Sequence, residues 1–145
     1  MKSIALLPFK NECHQLPQFV TNLTGIVDKI IAVDDGSSDG SATYLNTQSR
    51  IPCDIHAPKK ERGEDWSVDK IRQQLLDLGR EDGGTHFICL DADECFTAPF
   101  VSKFNKVLNR MEPGQKIQMQ WLAMWKSVDH YREDNSVWSN NFKDF

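Results

Sequence analysis

Apolar runs and amphipathic stretches alternate along roughly the first two-thirds of the chain. The apolar runs are short and rich in β-branched residues, which is typical of strands that are covered on both faces. They lie at 3–8, 29–33, 51–56 and 86–90. Between them, apolar residues recur at helical spacing. These helical segments lie at 16–23, 42–45 and 66–78. The alternation predicts an α/β fold with a mostly parallel sheet and helices on both of its faces.

The pattern changes in the last third of the chain. A helix is predicted from about 99 to 111, and Pro113-Gly114 then makes a turn. Polar and apolar residues alternate from 118 to 125, which predicts a long strand with one apolar face. Since 145 residues suffice for one core but hardly for two, we expect residues 1–145 to form a single domain.

Composition and charge narrow the classes of function. A formal net charge of −4 argues against nucleic acid or an anionic membrane as the main partner. No apolar run approaches the ~20 residues that span a bilayer. The start of the chain is interrupted too soon, by Lys10 and Glu12, to be a signal peptide. The four cysteines lack the close spacing of zinc or redox motifs. We therefore expect a cytoplasmic protein, and the sequence indicates no oligomeric state.

Three of the predicted strands end in polar clusters. These clusters are Asn11-Glu12, Asp34-Asp35 and Asp91-Ala92-Asp93. Ligands of open α/β sheets bind at the carboxyl ends of the strands, and parallel pairing would bring all three clusters to one edge. That convergence indicates a binding site more strongly than any single cluster does.

The Asp91-Ala92-Asp93 triplet has two interpretations. Residues two apart on a strand face the same way, so both carboxylates can point at one site, where a nearby cation would offset their repulsion. Mg²⁺ or Mn²⁺ prefers such oxygen ligands, completed by phosphate and water, and would neutralise charge on a leaving diphosphate. Alternatively, the triplet is only a solvated strand end with a helix cap. Glu94 either supports the metal ligands or caps the next segment of the chain.

The turn-rich segment after the second predicted strand is also open to two interpretations. One of the residues 37–39 would cap the following helix, with Asp39 and Ser41 in structural roles. Asp34 or Asp35 would accept hydrogen bonds from a base or ribose, while the adjacent glycine lets a ligand approach the backbone. Both interpretations can hold together.

Other candidate residues are weaker. Arg72 precedes the fourth strand and could reach a phosphate, whereas Lys59 and Lys60 fit a solvated surface. Trp121 and Trp125 stand at strand spacing, which favours a core or sheet-face position over sugar stacking. The four histidines have no metal-ligand spacing and are assigned no role.

Three segments together resemble, in order and spacing, the family-two glycosyltransferases with the GT-A fold. They are Ala5-Leu6-Leu7-Pro8-Phe9-Lys10-Asn11-Glu12, Ile31-Ala32-Val33-Asp34-Asp35-Gly36-Ser37-Ser38-Asp39-Gly40-Ser41 and Phe87-Ile88-Cys89-Leu90-Asp91-Ala92-Asp93-Glu94. The resemblance implies a nucleotide-diphospho-sugar donor, often a UDP-sugar, and an inverting transfer to a hydroxyl of a saccharide, lipid or protein acceptor.

The resemblance also implies roles for individual residues. Asp35, with Asp34, would contact the uracil or ribose, and Pro8 and Glu12 would flank the nucleotide.

At the other end of the donor, Asp91 and Asp93 would form the Asp-x-Asp metal and donor site. Arg72 matches loosely the basic residue that members often place before that motif.

Two departures from the family pattern qualify this expectation. Members typically continue well past this length, so the chain looks truncated at its C-terminus, with donor binding better supported than turnover. An inverting transfer needs a carboxylate base, which in the family usually lies far beyond the Asp-x-Asp motif. The only late acids are Asp129, Glu133 and Asp134.

Two alternative functions are open. The chain could be a non-catalytic nucleotide-sugar-binding remnant. It could less readily be a haloacid-dehalogenase-like phosphatase, because an Asp-x-Asp comes directly after an apolar strand. That family has Thr or Val two places after the second Asp, where this chain has Cys95.

Overall fold

The computed structural model describes residues 1–59, 67–124, 127, 130, 131 and 142–144. Several residues with predicted positions or roles lie outside this described part, namely Lys60, Trp66, Trp125, Asp129, Glu133 and Asp134. The chain divides into two compact units, Met1–Arg110 and Met111–Phe145, which are described separately. That residues 1–145 form one domain stays a prediction.

A four-stranded parallel sheet forms the centre of the first unit. Its strands are β1 (Ser3–Phe9), β2 (Lys29–Asp34), β3 (Cys53–His56) and β4 (His86–Cys89). They pair in the order β3-β2-β1-β4, and every pairing is parallel. The predicted parallel α/β architecture is therefore confirmed, with each strand within two residues of its predicted position.

Three helices connect the strands and two shorter ones come after β4. They are α1 (Leu16–Leu23), α2 (Ser41–Thr47), α3 (Val68–Glu81), α4 (Ala98–Val101) and α5 (Phe104–Leu108). The prediction of a single helix over 99–111 is wrong, because a turn at Ser102 and Lys103 separates α4 from α5. Such a short interruption leaves the hydrophobic periodicity almost unchanged, so the sequence pattern does not reveal it.

Both faces of the sheet are buried. On one face, strand residues pack with α3 in a single cluster of Ile4, Leu6, Ile31, Val33, Ile71 and Leu75. The alternate strand residues are equally buried, at 0% exposure, namely Ala5, Leu7, Ile30 and Ala32. The chain crosses the sheet in one direction from β1 through β2 to β3, and in the opposite direction from β3 to β4. Right-handed crossovers therefore put α1 and α2 on the face opposite α3.

Helix α3 continues through Gly79, where the sequence pattern predicts its end. A Cβ atom on Gly79 would lie 2.7 Å from Cε1 of Phe87. The missing side chain thus lets the helix lie close against β4, and the helix ends only at Glu81, before the positive φ of Gly83 at 77°. Glycine here serves packing rather than termination.

The second unit contains a small antiparallel sheet. Strand β5 (Gln118–Gln120) pairs with β6 (Phe142–Asp144), and an isolated bridge joins Met124 to Tyr131. The strand is shorter than the predicted 118–125, although half-buried and exposed residues alternate as far as Met124. Within the described ranges, no helix has the length and apolar character needed to cross a membrane.

Candidate functional site

The order of the strands reverses direction between β1 and β4, which makes a switch point at one edge of the parallel sheet. The chain passes from β1 to β2 on one side, and later returns through β4 on the other side of β1. Loops that leave neighbouring strands in opposite directions open a crevice at their carboxyl ends, where ligands of α/β proteins bind. Glu12 comes after β1, and Asp91 and Asp93 come after β4. The predicted convergence of polar strand ends is therefore confirmed, and the crevice lies between the first and the third cluster.

Asn11 joins the loop after β1 to the loop after β2. Its backbone has a left-handed φ of 57°, a conformation that asparagine tolerates better than most residues. Its backbone N–H donates to Oγ of Ser37 at 2.9 Å, and its Oδ1 accepts from the N–H of Ser38 at 2.8 Å. The two loops consequently form one connected rim of the crevice.

A second connection runs through Ser41, whose side chain is fully buried. Its hydroxyl donates to Oδ1 of Asp39 and accepts from the N–H of Glu12 at 2.9 Å. Asp39 also accepts from the N–H groups of Cys13 and Ser41, so one of residues 37–39 accepts from the first helical N–H of α2 as predicted, although the N-cap position itself is Gly40. The donating hydroxyl of Ser41 and N–H of Cys13 hold the pKa of Asp39 below its ordinary value. This set of bonds, the Asp39–Ser41 latch, fixes the backbone of Glu12.

Asp34 and Asp35 differ in their surroundings. Oδ1 of Asp34 accepts from the N–H and the hydroxyl of Ser37, at 2.8 and 2.6 Å, and so holds the turn together. The N–H of Asp35 extends the β1–β2 pairing by donating to Phe9, and its carboxylate lies 3.4 Å from Nζ of Lys10. Asp34 therefore has a structural role in the turn. The nucleotide contacts expected of both residues stay predictions.

Pro8 lies at the same edge, half-buried and paired in register with Val33 of β2. Its predicted place beside the nucleotide is compatible with this position and stays a prediction.

The acidic triplet lies in a turn rather than on the strand. Strand β4 ends at Cys89, and the N–H of Glu94 then donates to the carbonyl of Asp91 at 3.0 Å. The Glu94 carboxylate accepts from the N–H of Asp91, also at 3.0 Å, which closes the turn. The premise that Asp91 and Asp93 alternate on a strand is thus wrong, since strand alternation does not apply within a turn. That both carboxylates point at one site stays a prediction.

Arg72 reaches this turn from α3. Its Nη2 donates to Oδ1 of Asp91 at 2.9 Å, and the two side chains are 37% and 40% exposed. Both charges also act on the Cys89 thiol, whose pKa is raised first by burial; Arg72 lowers it and Asp91 raises it further. Of the two predicted basic candidates that the structure describes, Arg72 is at the crevice. Lys59 contributes its backbone N–H to a bond with Gln74.

The pKa of Glu12 responds to the charges of the surrounding side chains. The pKa of its carboxyl lies above the ordinary 4.5, first because of burial and then because of the negative charge of Asp93. Asp39 and Asp91 act in the same direction, and His14 opposes them. Glu12 therefore shares one local field with both acids of the turn, although those acids are not on a strand. Such a field favours a cation.

The residues of the crevice fit a hard divalent cation that is shared with a ligand. Asp93 is exposed, and no hydrogen bond links its carboxylate to the described part of the chain. Within that part, no group of three or more His, Cys, Asp or Glu side chains is arranged to hold an ion alone. Mg²⁺ characteristically takes one or two carboxylates and completes its shell with substrate phosphates and water. Asp91 and Asp93 match that incomplete set.

Two positioning residues were missed by the sequence analysis. Gln74 of α3 is 8% exposed; its side chain accepts from the N–H of Lys59 at 2.8 Å and donates to the carbonyl of Ala57 at 2.9 Å. It thereby fixes the segment that leaves β3. The available signal was a polar residue on the apolar face of a predicted helix, between Ile71 and Leu75. Asn22 of α1, which bonds the segment after the acidic turn, carries no comparable signal.

A sequence model described as "Glycosyl transferase family 2" matches residues 4–135, which is most of the chain and includes every element of the crevice. No curated protein matches the chain.

Proposed function

The chain belongs to glycosyl transferase family 2, and we propose that it transfers a sugar from a nucleotide-diphospho-sugar, specifically a UDP-sugar, to an acceptor hydroxyl. Family membership makes the protein a glycosyltransferase and implies a nucleotide-sugar donor and an acceptor. The uridine, the divalent cation and the inverting stereochemistry are parts of the proposal. The acceptor is a saccharide, lipid or protein hydroxyl.

The observation that carries the proposal is that Glu12 follows β1 while Asp91 and Asp93 follow its neighbour β4, and that the charges of both aspartates add to burial in raising the pKa of Glu12. An acidic field at a strand-end crevice suits a cation–diphosphate pair better than an anion alone. The rim formed by the loops after β1 and β2 then receives the nucleoside, with Asp35 directly after the end of β2.

The residues of the crevice divide the work of holding the sugar donor. Asp91 and Asp93 would hold Mg²⁺ or Mn²⁺, which when bound neutralises charge on the departing diphosphate. Arg72 lies beside Asp91 and can donate two parallel hydrogen bonds to a phosphate. The Asp39–Ser41 latch holds the backbone of Glu12 at the wall of the crevice. Orienting the diphosphate in this way directs the anomeric carbon toward the acceptor.

Inversion requires a carboxylate that takes the proton of the acceptor hydroxyl. The proposal assigns this role to no residue: the late acids Asp129, Glu133 and Asp134 lie outside the described residues. We also place the protein in the cytoplasm, since its cysteines are unpaired, as suits a reducing compartment.

The second candidate is a module that binds a nucleotide sugar without transferring it, which the same crevice supports equally. Family membership disfavours the phosphatase alternative.

Calorimetry with UDP, in the presence and absence of Mn²⁺, tests donor binding. We expect Mn²⁺ to strengthen UDP binding, and Asp93→Asn to abolish that gain. Asp77→Asn, which changes an exposed acid of α3, is the matched control and should bind like the wild type. Equal UDP affinity with and without Mn²⁺ would exclude the proposed metal site.

A transfer assay then separates the two candidates. Release of UDP from a UDP-sugar, dependent on Mn²⁺ and on Asp93, supports the transferase. Tight binding without turnover supports the binding module, and hydrolysis of a simple phosphate ester without any nucleotide sugar would revive the phosphatase.

A further inference from the structure

The ion pair between Arg72 and Asp91 has a consequence for the order of events at the crevice, given the proposed cation and diphosphate. Nη2 of Arg72 lies 2.9 Å from Oδ1 of Asp91, so the guanidinium supplies a positive charge to one of the two acids expected to hold the cation. Asp91 lies in a negative field with Asp93 and Glu12, as the raised pKa of Glu12 indicates. Arg72 therefore offsets part of that field before any cation is bound.

Arg72 and a divalent cation compete for the same carboxylate. A metal ion bound to Asp91 would repel the guanidinium beside it, because both are positive and only a few ångströms would separate them. The diphosphate of the sugar donor is the anion that arrives with the cation, and the planar guanidinium forms two hydrogen bonds with phosphate particularly well.

We propose that Arg72 holds the place of the cation at Asp91 in the free enzyme and transfers its hydrogen bonds to the diphosphate when the cation binds. Arg72 is then an exchangeable partner that couples the binding of cation and sugar donor. Arg72 weakens the binding of the cation alone and strengthens the binding of cation and sugar donor together.

Because Arg72 and Asp91 are exposed, breaking their ion pair costs little free energy. Both side chains are more than one-third exposed, and ion pairs at that level of exposure contribute little to stability because water screens them. Arg72 belongs to the second turn of α3, whose apolar face is anchored against the sheet through Ile71 and Leu75. The helix therefore stays in place while the long Arg72 side chain changes partner.

If Arg72 exchanges partners, its removal should have opposite effects on the binding of the cation alone and on the binding of the diphosphate together with the cation. In Arg72→Ala, Mn²⁺ alone should bind about three- to five-fold more tightly, because one positive charge that competes for Asp91 is gone. UDP in saturating Mn²⁺ should bind about tenfold more weakly, because a charged partner of the diphosphate is lost. Water-proton relaxation reports the bound Mn²⁺, and calorimetry reports the UDP.

A metal-free experiment tests the same exchange independently. In Asp91→Asn, Arg72 is released, so UDP in the presence of a chelator should bind more tightly than to the wild type. Asp93→Asn removes the same charge without releasing Arg72 and should give a smaller gain. The difference between these two gains should disappear when both variants also carry Arg72→Ala, as a double-mutant cycle requires.

Arg80→Ala is the matched control, because Arg80 lies on the same helix and pairs at its surface with Asp77. Arg80→Ala should change neither Mn²⁺ binding nor UDP binding, and circular dichroism with urea midpoints should show that all variants fold.

If Arg72→Ala weakens Mn²⁺ binding, Arg72 only positions Asp91 and the exchange is overturned. If the two metal-free gains are equal, it is overturned as well. A wild type that binds neither Mn²⁺ nor UDP refutes the proposed function too, whereas wild-type binding of both with the wrong response in Arg72→Ala refutes the exchange alone.

Discussion

The side-chain amide of Asn22 closes two hydrogen bonds with the backbone of Phe96, donating to its carbonyl and accepting from its N–H, each at 2.8 Å. The two residues are 74 positions apart in the chain. Asn22 lies on α1, the helix after β1, and Phe96 comes shortly after the acidic turn at the end of β4. This contact therefore ties together the segments that form the two sides of the crevice.

Asn22→Ala should lower the free energy of unfolding by about 1–3 kcal/mol, because it leaves a partly buried N–H and carbonyl of Phe96 without partners. Urea unfolding at neutral pH measures the change. Asn46→Ala, at an exposed position of α2, should change stability by less than about 0.5 kcal/mol. Equal losses in the two variants would show that the contact with Phe96 contributes nothing specific.

Ser41→Ala should destabilise the protein by about 1–3 kcal/mol and also weaken UDP binding in Mn²⁺. The buried hydroxyl is the acceptor for the N–H of Glu12 and a donor to Asp39, so its removal releases the Asp39–Ser41 latch. Urea unfolding and calorimetry measure the two effects. Ser38→Ala changes an exposed hydroxyl in the same segment and should leave both unchanged. Lower stability with unaltered UDP binding would confine the latch to folding.

Gln74→Ala should cost about 1–3 kcal/mol of stability, since both the N–H of Lys59 and the carbonyl of Ala57 lose a partly buried partner. The neighbouring Gln73 is exposed and bonds across the helix surface to Asp77, so Gln73→Ala should have an effect below about 0.5 kcal/mol. The difference between the two urea midpoints checks the prediction. A loss as large in Gln73→Ala would point to helix propensity instead of the bonds to the segment after β3.

Asp82 should stabilise the fold in a pH-dependent manner. Its carboxylate forms an ion pair with Lys2 at 2.7 Å and accepts from Lys29 at 2.9 Å, and these two positive charges lower its pKa below the ordinary 3.8. A carboxyl with a lowered folded-state pKa contributes fully above its unfolded value and loses that contribution as the pH falls through the folded value. Asp82→Asn should therefore unfold at lower urea than the wild type at neutral pH, and this difference should shrink as the pH falls below 3.8.

Asp77→Asn is the control for the same titration, because Asp77 is exposed and its partners lie on the surface of its own helix, Gln73 at 2.8 Å and Arg80 at 3.8 Å. Its urea midpoint should track that of the wild type across the range. A difference between Asp82→Asn and wild type that stays constant into the acid range would mean that the carboxylate charge of Asp82 is not what stabilises the end of α3.

The sequence by itself determined the elements of the first unit and the kind of chemistry at their ends. Apolar runs and helical spacing are local properties, set by which faces of a few consecutive residues are buried, so β1 to β4 and α1 to α3 could be predicted. The motif order pointed to the family for the same reason, since Glu12, Asp35 and Asp91 each stand at the end of a short, recognisable strand.

Only the tertiary structure decided how those ends meet. The order β3-β2-β1-β4 depends on pairings between residues far apart in sequence, and it alone brings Glu12 beside the turn that carries Asp91 and Asp93. The bond from Arg72 to Asp91 likewise depends on how α3 packs. Hydrogen bonds and ion pairs of this kind require fixed distances between segments that have no local relation, and no periodicity in the sequence records those distances.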